Sequence, residues 1–515
     1  MKFSKFLFVG CCVIALSCKT SKSQPSKTLD ATGQTEKLRK AITEAIETRQ
    51  LIKDSGVSVS VFSSREILLM EGFGFKDRTG KTPVTPHTLF SIGSTTKAFT
   101  AMSILMLQEE GALNINDTVV SQLPEFQLNE AERTQKVEIA DLLSHATGLP
   151  RHDLVWYLTP FSREELIKRL PYLPLNPKPG FGFREAFQYN NLMFMTAGRI
   201  VEKKSGVSWE DFVQEKILNK LGMNETSFSW ASAKLKDDLA RPYRVDVELD
   251  PKELTSICPA GCIVSNVHDM TKWIQLHLRK GMLLDQTMLL NRETFAQLLI
   301  KKMPMSSARP DLGYGLAWMM QIRDDLPAIY FHGGNIDGFT AMVMFVPSLD
   351  VGVVVLENQE GSRLPNDVGL AALRVMHEAK SPAYALEMEK TFPIDEDLFV
   401  PALEAEQMSL PWSGFHLDDP IGSVAVTHPE VTGLYQDRGY GDIEITQSED
   451  SLWFNYYTHH WKVTPKEELK YIVEAIISNE SSQLPIEFKK TESDLFGELH
   501  VVLENEVGAT VFKRY

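Results

Sequence analysis

Between Lys97 and Leu107 the apolar residues Ala98, Ala101, Met102 and Leu105, joined by Ile104 and Leu107, recur at spacings of three and four, and Gly111 ends the pattern. Such a helix is apolar nearly all round, so it has no face to offer water and must be enclosed by other elements. The flanks supply them. Gly56 to Phe62 alternates with β-branched residues and Glu66 to Phe75 repeats the habit, which predicts a hairpin. His332 to Phe345 and Val351 to Leu356 read as a second pair of strands. The order is strands, a large helical middle, then strands again, which predicts an α+β sandwich whose chain ends share one sheet.

A chain of 515 residues has room for two or three domains of the usual ~150 residues. With 43% hydrophobic and 23% charged residues, a mostly disordered or collagen-like chain is excluded. The net charge of −15 argues against a phosphate-backbone partner, so nucleic acid is not expected. That charge is uneven: residues 381–515 hold 25 acids against 9 basic residues, whereas residues 1–380 are balanced at 43 against 44. No Lys or Arg occurs from Thr391 to Val431, a stretch punctuated by Pro393, Pro401, Pro411 and Pro420. Residues 381–427 are therefore expected to be an extended connector between two domains. No repeat of fixed period is present.

Met1 to Lys5 carries two lysines, Phe6 to Leu16 is an apolar run of eleven, and Ala15-Leu16-Ser17-Cys18 closes it. This reads as a signal peptide, because a permanent membrane helix needs about 20 apolar residues. The placement of Cys18 resembles the bacterial lipobox, with Ala15 where Leu is commoner. That resemblance implies an acylated Cys18, a lipid anchor to the membrane and a periplasmic or outer-membrane location; cleavage without lipidation is the alternative. Residues 19–37, rich at first in Ser, Thr and Lys, are expected to be a flexible tether. Only Cys258 and Cys262 remain in the body of the chain. Their spacing permits a small disulfide or two free thiols, and no nearby His pair completes a zinc site.

Three short motifs carry chemistry. Ser94-Thr95-Thr96-Lys97, at the mouth of the apolar helix, stacks a hydroxyl and an amine at i and i+3. A desolvated Lys97 can take the proton of Ser94, and the free N–H groups of a first turn can receive an oxyanion. Tyr189 and Asn191, in Phe187-Gln188-Tyr189-Asn190-Asn191, precede a helix expected over Leu192 to Lys203; a phenol can relay protons and an amide can orient the lysine. His332-Gly333-Gly334-Asn335 opens a strand along which a substrate can lie, with a backbone N–H as oxyanion donor.

In this order the motifs resemble the pattern of the serine β-lactamase and penicillin-binding-protein superfamily, in particular its class C-like branch of D-aminopeptidases, alkaline D-peptidases and esterases: S-x-x-K, Y-x-N and H-x-G. Supporting stretches are Ile139 to Pro150, which resembles D-L-L-S-H-T-S-G-L-P, Pro259-Ala260-Gly261, and Tyr314 to Trp318. The resemblance spans residues 38–380. It implies a β-lactamase-like sandwich with an antiparallel sheet, Ser94, Lys97, Tyr189 and Asn191 as catalytic residues, His332 to Asn335 as substrate-binding residues, no cofactor and no metal. His145 belongs to a structural turn in this reading. Trp156-Tyr157 and Phe181-Gly182-Phe183 are candidates for lining a cleft. Residues 428–515 read as short strands of an all-β barrel or meander, and Gly433-Leu434-Tyr435 with Phe512-Lys513-Arg514 resembles the lipocalin-like domain appended to such hydrolases.

The resulting expectation is an exported serine hydrolase acting through an acyl-enzyme on a small-molecule or peptide substrate, an amide or ester such as a D-peptide or peptidoglycan fragment. Its alternatives are a β-lactamase and a catalytically silent binding protein. With His332 in place of the lysine of K-T-G, carboxylate recognition is expected to be weak. No sequence feature sets the oligomeric state.

Overall fold

A computed structural model describes residues 31–49, 54–157, 159–324, 326–380, 431–448, 451–467, 470–477, 480–489, 497–504 and 507–514. The expected signal peptide with Cys18 and the connector lie outside these residues.

The main sheet has eight strands: β1 (Val57–Phe62), β2 (Ile67–Phe73), β3 (Met303–Pro304), β4 (Leu312–Tyr314), β5 (Met319–Arg323), β6 (Leu326–Ile336), β7 (Phe339–Val346) and β8 (Val351–Glu357). Their order is β2-β1-β8-β7-β6-β5-β4-β3, all neighbours antiparallel, so strands from the two ends of this domain do lie side by side. The β1 sequence Val-Ser-Val-Ser-Val-Phe is buried along its whole length, because each face of the sheet is covered. Val57, Val59 and Val61 join one core, together with Leu38, Ile42 and Ile46 of α1 (Ala31–Arg49) and Val368, Leu373 and Met376 of α5 (Leu364–Lys380). On the other face the small Ser60 lets α4 (Val267–Leu278) come close enough for Thr271 to donate a hydrogen bond to Ser60 Oγ at 2.7 Å. The alternation therefore separates two interiors rather than inside from outside.

Two expectations are revised. The segment expected to be a tether as far as Lys37 is helical from Ala31, because Leu38, Ile42 and Ile46 form a stripe at helical spacing that seats α1 on the sheet. The expected strand from His332 to Phe345 is two strands. Asp337 and Gly338 between them both have positive φ, 37° and 88°, and fold β6 and β7 into a hairpin.

The apolar helix is α2 (Lys97–Glu109), and every residue from Lys97 to Leu107 is buried. Phe99 stacks on Trp273 of α4 with ring centres 4.0 Å apart. Against it packs α3 (Asn191–Ser205), capped by the Asn190 side chain accepting from Met193 N–H and ended by Gly206 in the left-handed conformation. Eight C-terminal strands, from β9 (Gly433–Asp437) to β16 (Gly508–Arg514), form a closed barrel in simple sequence order, β16 returning to β9 through Tyr435 and Arg514. Its Tyr440 hydroxyl meets His152 Nδ1 at 2.6 Å, and Arg169 donates to the Arg438 carbonyl, which docks the barrel beside the helical region.

Candidate active site

Ser94 lies in a single 3-10 turn, Gly93–Thr96, that leads directly into α2. The backbone must bend sharply there: Gly93 has φ +50°, and a Cβ on it would stand 2.9 Å from the Asn335 amide nitrogen. A Cβ on Gly334 would stand 2.1 Å from the Ile92 carbonyl oxygen. The two glycines thus let β6 and the serine turn touch backbone to backbone, placing the N–H groups of Ser94 and Asn335 beside one another as candidate oxyanion donors.

Lys97 is completely enclosed, and its Nζ has three polar neighbours: Ser94 Oγ at 3.0 Å, Asn191 Oδ1 at 2.7 Å and the Ala260 carbonyl at 2.9 Å. Burial pushes its amine well below the ordinary lysine value; Arg151 adds to the effect and Asp153 opposes it. The orientation of Asn191 is fixed, because its Nδ2 donates to Asp153 Oδ1 at 3.0 Å and a carboxylate only accepts. A neutral amine fits this cage. Its two N–H bonds go to Asn191 Oδ1 and Ala260 O, leaving the lone pair for the Ser94 hydroxyl.

Burial pushes the Tyr189 phenol above the ordinary tyrosine value, opposed by Ser94 and Arg151. Its ring lies 4.7 Å from Lys97 Nζ. Tyr189 therefore holds its proton at neutral pH. His145 packs behind it at 4.3 Å between ring centres, accepting through Nδ1 from the Asn190 N–H at 3.0 Å. This is the buried turn histidine expected from the sequence.

The cleft over Ser94 has a volume of about 130 Å³ and is lined by Ser94, Asn191 and Asn335 together with Arg151, Asp153, Trp156, Tyr157, Leu254, Ile257 and Ile336. His332, Gly333 and Gly334 do not line it. The His332 ring is buried, meets the Tyr314 hydroxyl at 2.9 Å and its neighbour's carbonyl at 2.7 Å, and is pushed down to about 3 by burial and Lys97. Of the aromatic candidates, Trp156 and Tyr157 reach the cleft while Phe181 and Phe183 do not.

Arg151 and Asp153 carry no motif by which the sequence could announce them, yet they hold the centre together. Asp153 accepts from Asn191, from Trp156 Nε1 at 2.7 Å and from Arg151 Nε at 2.7 Å. A second cavity of about 210 Å³ shares Trp156, Tyr157, Leu254 and Ile257 with the first and ends on Thr458 and His459 of the barrel. The cleft thus extends away from Ser94 to the barrel. Cys258 and Cys262 form a disulfide across the turn that presents the Ala260 carbonyl to Lys97.

The β-lactamase family model matches residues 43–375. The chain belongs to the β-lactamase family. Family members are serine hydrolases of the β-lactamase and transpeptidase type. Among known relatives, the unguisins hydrolase ungD' of Aspergillus campestris is 30% identical over 322 residues, covering 59% of this chain and 58% of that protein. Protein flp of Staphylococcus aureus is 26% identical over 319 residues, covering 60% of this chain and 61% of its own length. The chain spans about three-fifths of the length of these curated relatives. The octameric penicillin-binding protein homologue of Pyrococcus abyssi shares the fold, with TM-score 0.57 and 22% identity over 93% of this chain and 99% of that one.

Proposed function

We propose that this β-lactamase-family protein is an exported serine hydrolase that forms an acyl-enzyme at Ser94 on neutral amides or esters, with a D-residue on the acyl side. The observation that carries this reading is the cage around Lys97, in which two acceptors occupy the N–H bonds of a neutral amine and the third neighbour is the serine hydroxyl. Ser94 Oγ attacks the substrate carbonyl carbon and its proton passes to Lys97 Nζ. The oxyanion is received by the N–H groups of Ser94 and Asn335. As the carbonyl re-forms, the leaving group departs with a proton relayed through Lys97 and the Tyr189 hydroxyl, and water then releases the acyl group by the same steps in reverse. The relative named as a hydrolase supports the activity class.

The neutral, buried His332 supports substrates without a carboxylate beside the leaving group, since it offers no fixed positive charge. One observation favours a second reading. Arg151 is a cation inside the cleft, and a β-lactam or a peptide with a free C-terminus could draw it from Asp153. Steady-state comparison of a cephalosporin, a D-Ala-D-Ala peptide, D-aminoacyl amides and neutral esters decides between them. Cephalosporin hydrolysis at or above the ~10⁴ M⁻¹s⁻¹ of efficient enzymes, with slow esters and amides, would overturn the first reading.

The Phe6–Leu16 run and Cys18 support export with a lipid anchor to the bacterial envelope. Wild-type protein should partition with membranes and Cys18→Ser should not; a soluble wild type without acyl mass contradicts the anchor.

A further inference from the structure

Away from Ser94, three segments converge on His87, Glu225 and His268. One ring nitrogen of each histidine and one oxygen of the glutamate lie within 4.8 Å of one another. The His87 Nδ1 is 3.0 Å from Glu225 Oε2, and the two imidazole rings are 4.7 Å apart, tilted by 41°. We propose that His87, Glu225 and His268 form a binding site for a divalent transition metal ion of zinc type.

The donor set fits that class: two imidazoles and one carboxylate suit zinc and its neighbours in the first transition row, not calcium or magnesium. Around the ligands is a scaffold that the catalytic chemistry does not use. Asn266 Nδ2 donates both to the His87 carbonyl at 3.2 Å and to the Glu225 carboxylate, joining the two segments. The buried Asp269 accepts the Glu225 and Thr226 N–H groups at 2.9 and 3.1 Å, which fixes the backbone that carries Glu225. Asp269 Oδ1 also stands 3.4 Å from His268 Nδ1, a buried ring nitrogen without a hydrogen bond. A carboxylate beside a ligating imidazole is the usual outer partner that sets its orientation. In a tetrahedral site with bonds of about 2.0–2.1 Å the ligand atoms stand roughly 3.4 Å apart. Small rotations close the difference, and His87 and Glu225, 52% and 42% exposed, are free to make them. The three protein ligands leave the fourth position to water.

Such an ion would tie the turn before Phe90–Ser91 to the start of α4, which follows Val264–Ser265; these two short strands pair with each other. The same strands run on toward Ser94 and Cys262 at their other ends. The ion would therefore fasten the pair at the end remote from the serine, stabilising it without entering the reaction.

The test uses the full-length, tag-free protein stripped with a chelator and titrated with ZnCl₂ against a chromophoric competitor. One equivalent should bind, and His87→Ala and His268→Ala should each weaken it at least tenfold. The conservative Glu225→Gln should weaken it less. Co²⁺ should give visible absorption bands that both histidine variants lose. Unchanged acylation of Ser94 shows that a variant is folded, and if His268→Ala does not fold, the exposed His87→Ala decides alone. Stripped wild type that binds Zn²⁺ no tighter than His87→Ala, or binding retained equally by every variant, overturns the proposal.

Discussion

Lys97 reaches three polar partners within 3.0 Å: the side-chain oxygens of Ser94 and Asn191, which the residue type decides, and the backbone carbonyl of Ala260, which the turn presents. The barrel is built differently. Ile443, Ile445, Phe454, Val463, Ile486 and Phe512 fill its interior with hydrocarbon, and its buried Tyr435 and Tyr456 hydroxyls are satisfied by the carbonyls of Val431 and Tyr440. In the serine centre, the proposed proton transfer calls for a particular side chain at Ser94, Lys97 and Tyr189. In the barrel, volume and alternation decide most positions and a few buried hydroxyls the rest, so many sequences would serve. Single substitutions should therefore separate the two regions: chemistry should fail abruptly in the first, and stability should decline gradually in the second.

The sharpest break is expected at the centre. Lys97→Met keeps the length of the side chain but removes the base, and acylation should fall by about three powers of ten or more, read by stopped acylation and mass spectrometry. Tyr189→Phe removes a proton relay while leaving the ring, and should lower kcat by about 10²–10⁴-fold. In the barrel, Tyr440→Phe removes the hydrogen bond to His152 and should reduce unfolding free energy by about 1–3 kcal/mol in denaturant titration, with acylation by a small probe unchanged. A tenfold loss of acylation in that variant would break the comparison. Ile443→Val should be milder still, about 0.5–1.5 kcal/mol.

Acid should destabilise the domain that carries Ser94 through its buried histidines. His152 and His277 are held down to about 4 and His332 to about 3, in each case mainly by burial. Each is neutral when folded but binds a proton when unfolded below its ordinary value of about 6.5. Stability is therefore full above that value and lost as pH falls toward the folded values. At pH 5 the loss is about 2 kcal/mol per histidine, measurable by thermal or denaturant unfolding across pH 7 to 5.

Much of the centre was legible in the sequence because the proposed acyl transfer demands particular groups at particular spacings, and the structure brings Ser94, Lys97, Tyr189 and Asn191 together. The apolar helix and the sharing of one sheet by distant strands were equally plain, since a helix without a polar face has one solution. Other features were not legible. Arg151 and Asp153 act through contacts made only after folding, and neither spacing nor neighbours mark them. His332 lies on its strand as read, but its ring turns into the interior toward Tyr314, a rotamer choice that no motif encodes. The stripe Leu38, Ile42 and Ile46 was obscured by the polar residues around it, and the Asp337-Gly338 turn by the largely apolar run Phe339 to Val346 that follows it. His87, Glu225 and His268 are too far apart in sequence for any spacing rule.

Barrel and centre meet where Thr458 and His459 close the second cavity. His459→Ala should raise KM severalfold for substrates long enough to reach it and leave short esters unaffected, a difference that steady-state assays on paired substrates would show.

The central claim is that Lys97, neutral in its cage, is the base that activates Ser94. The measurement is the rate of Ser94 acylation by a fluorophosphonate, followed by intact mass from acid to alkaline pH for wild type and Lys97→Met. The wild-type rate should rise with pH through one titration well below the ordinary lysine value of 10.5 and then level off, while Lys97→Met is slow without that titration and Ser94→Ala takes no label. Equal rates for wild type and Lys97→Met, or an adduct on another residue in Ser94→Ala, would contradict the account.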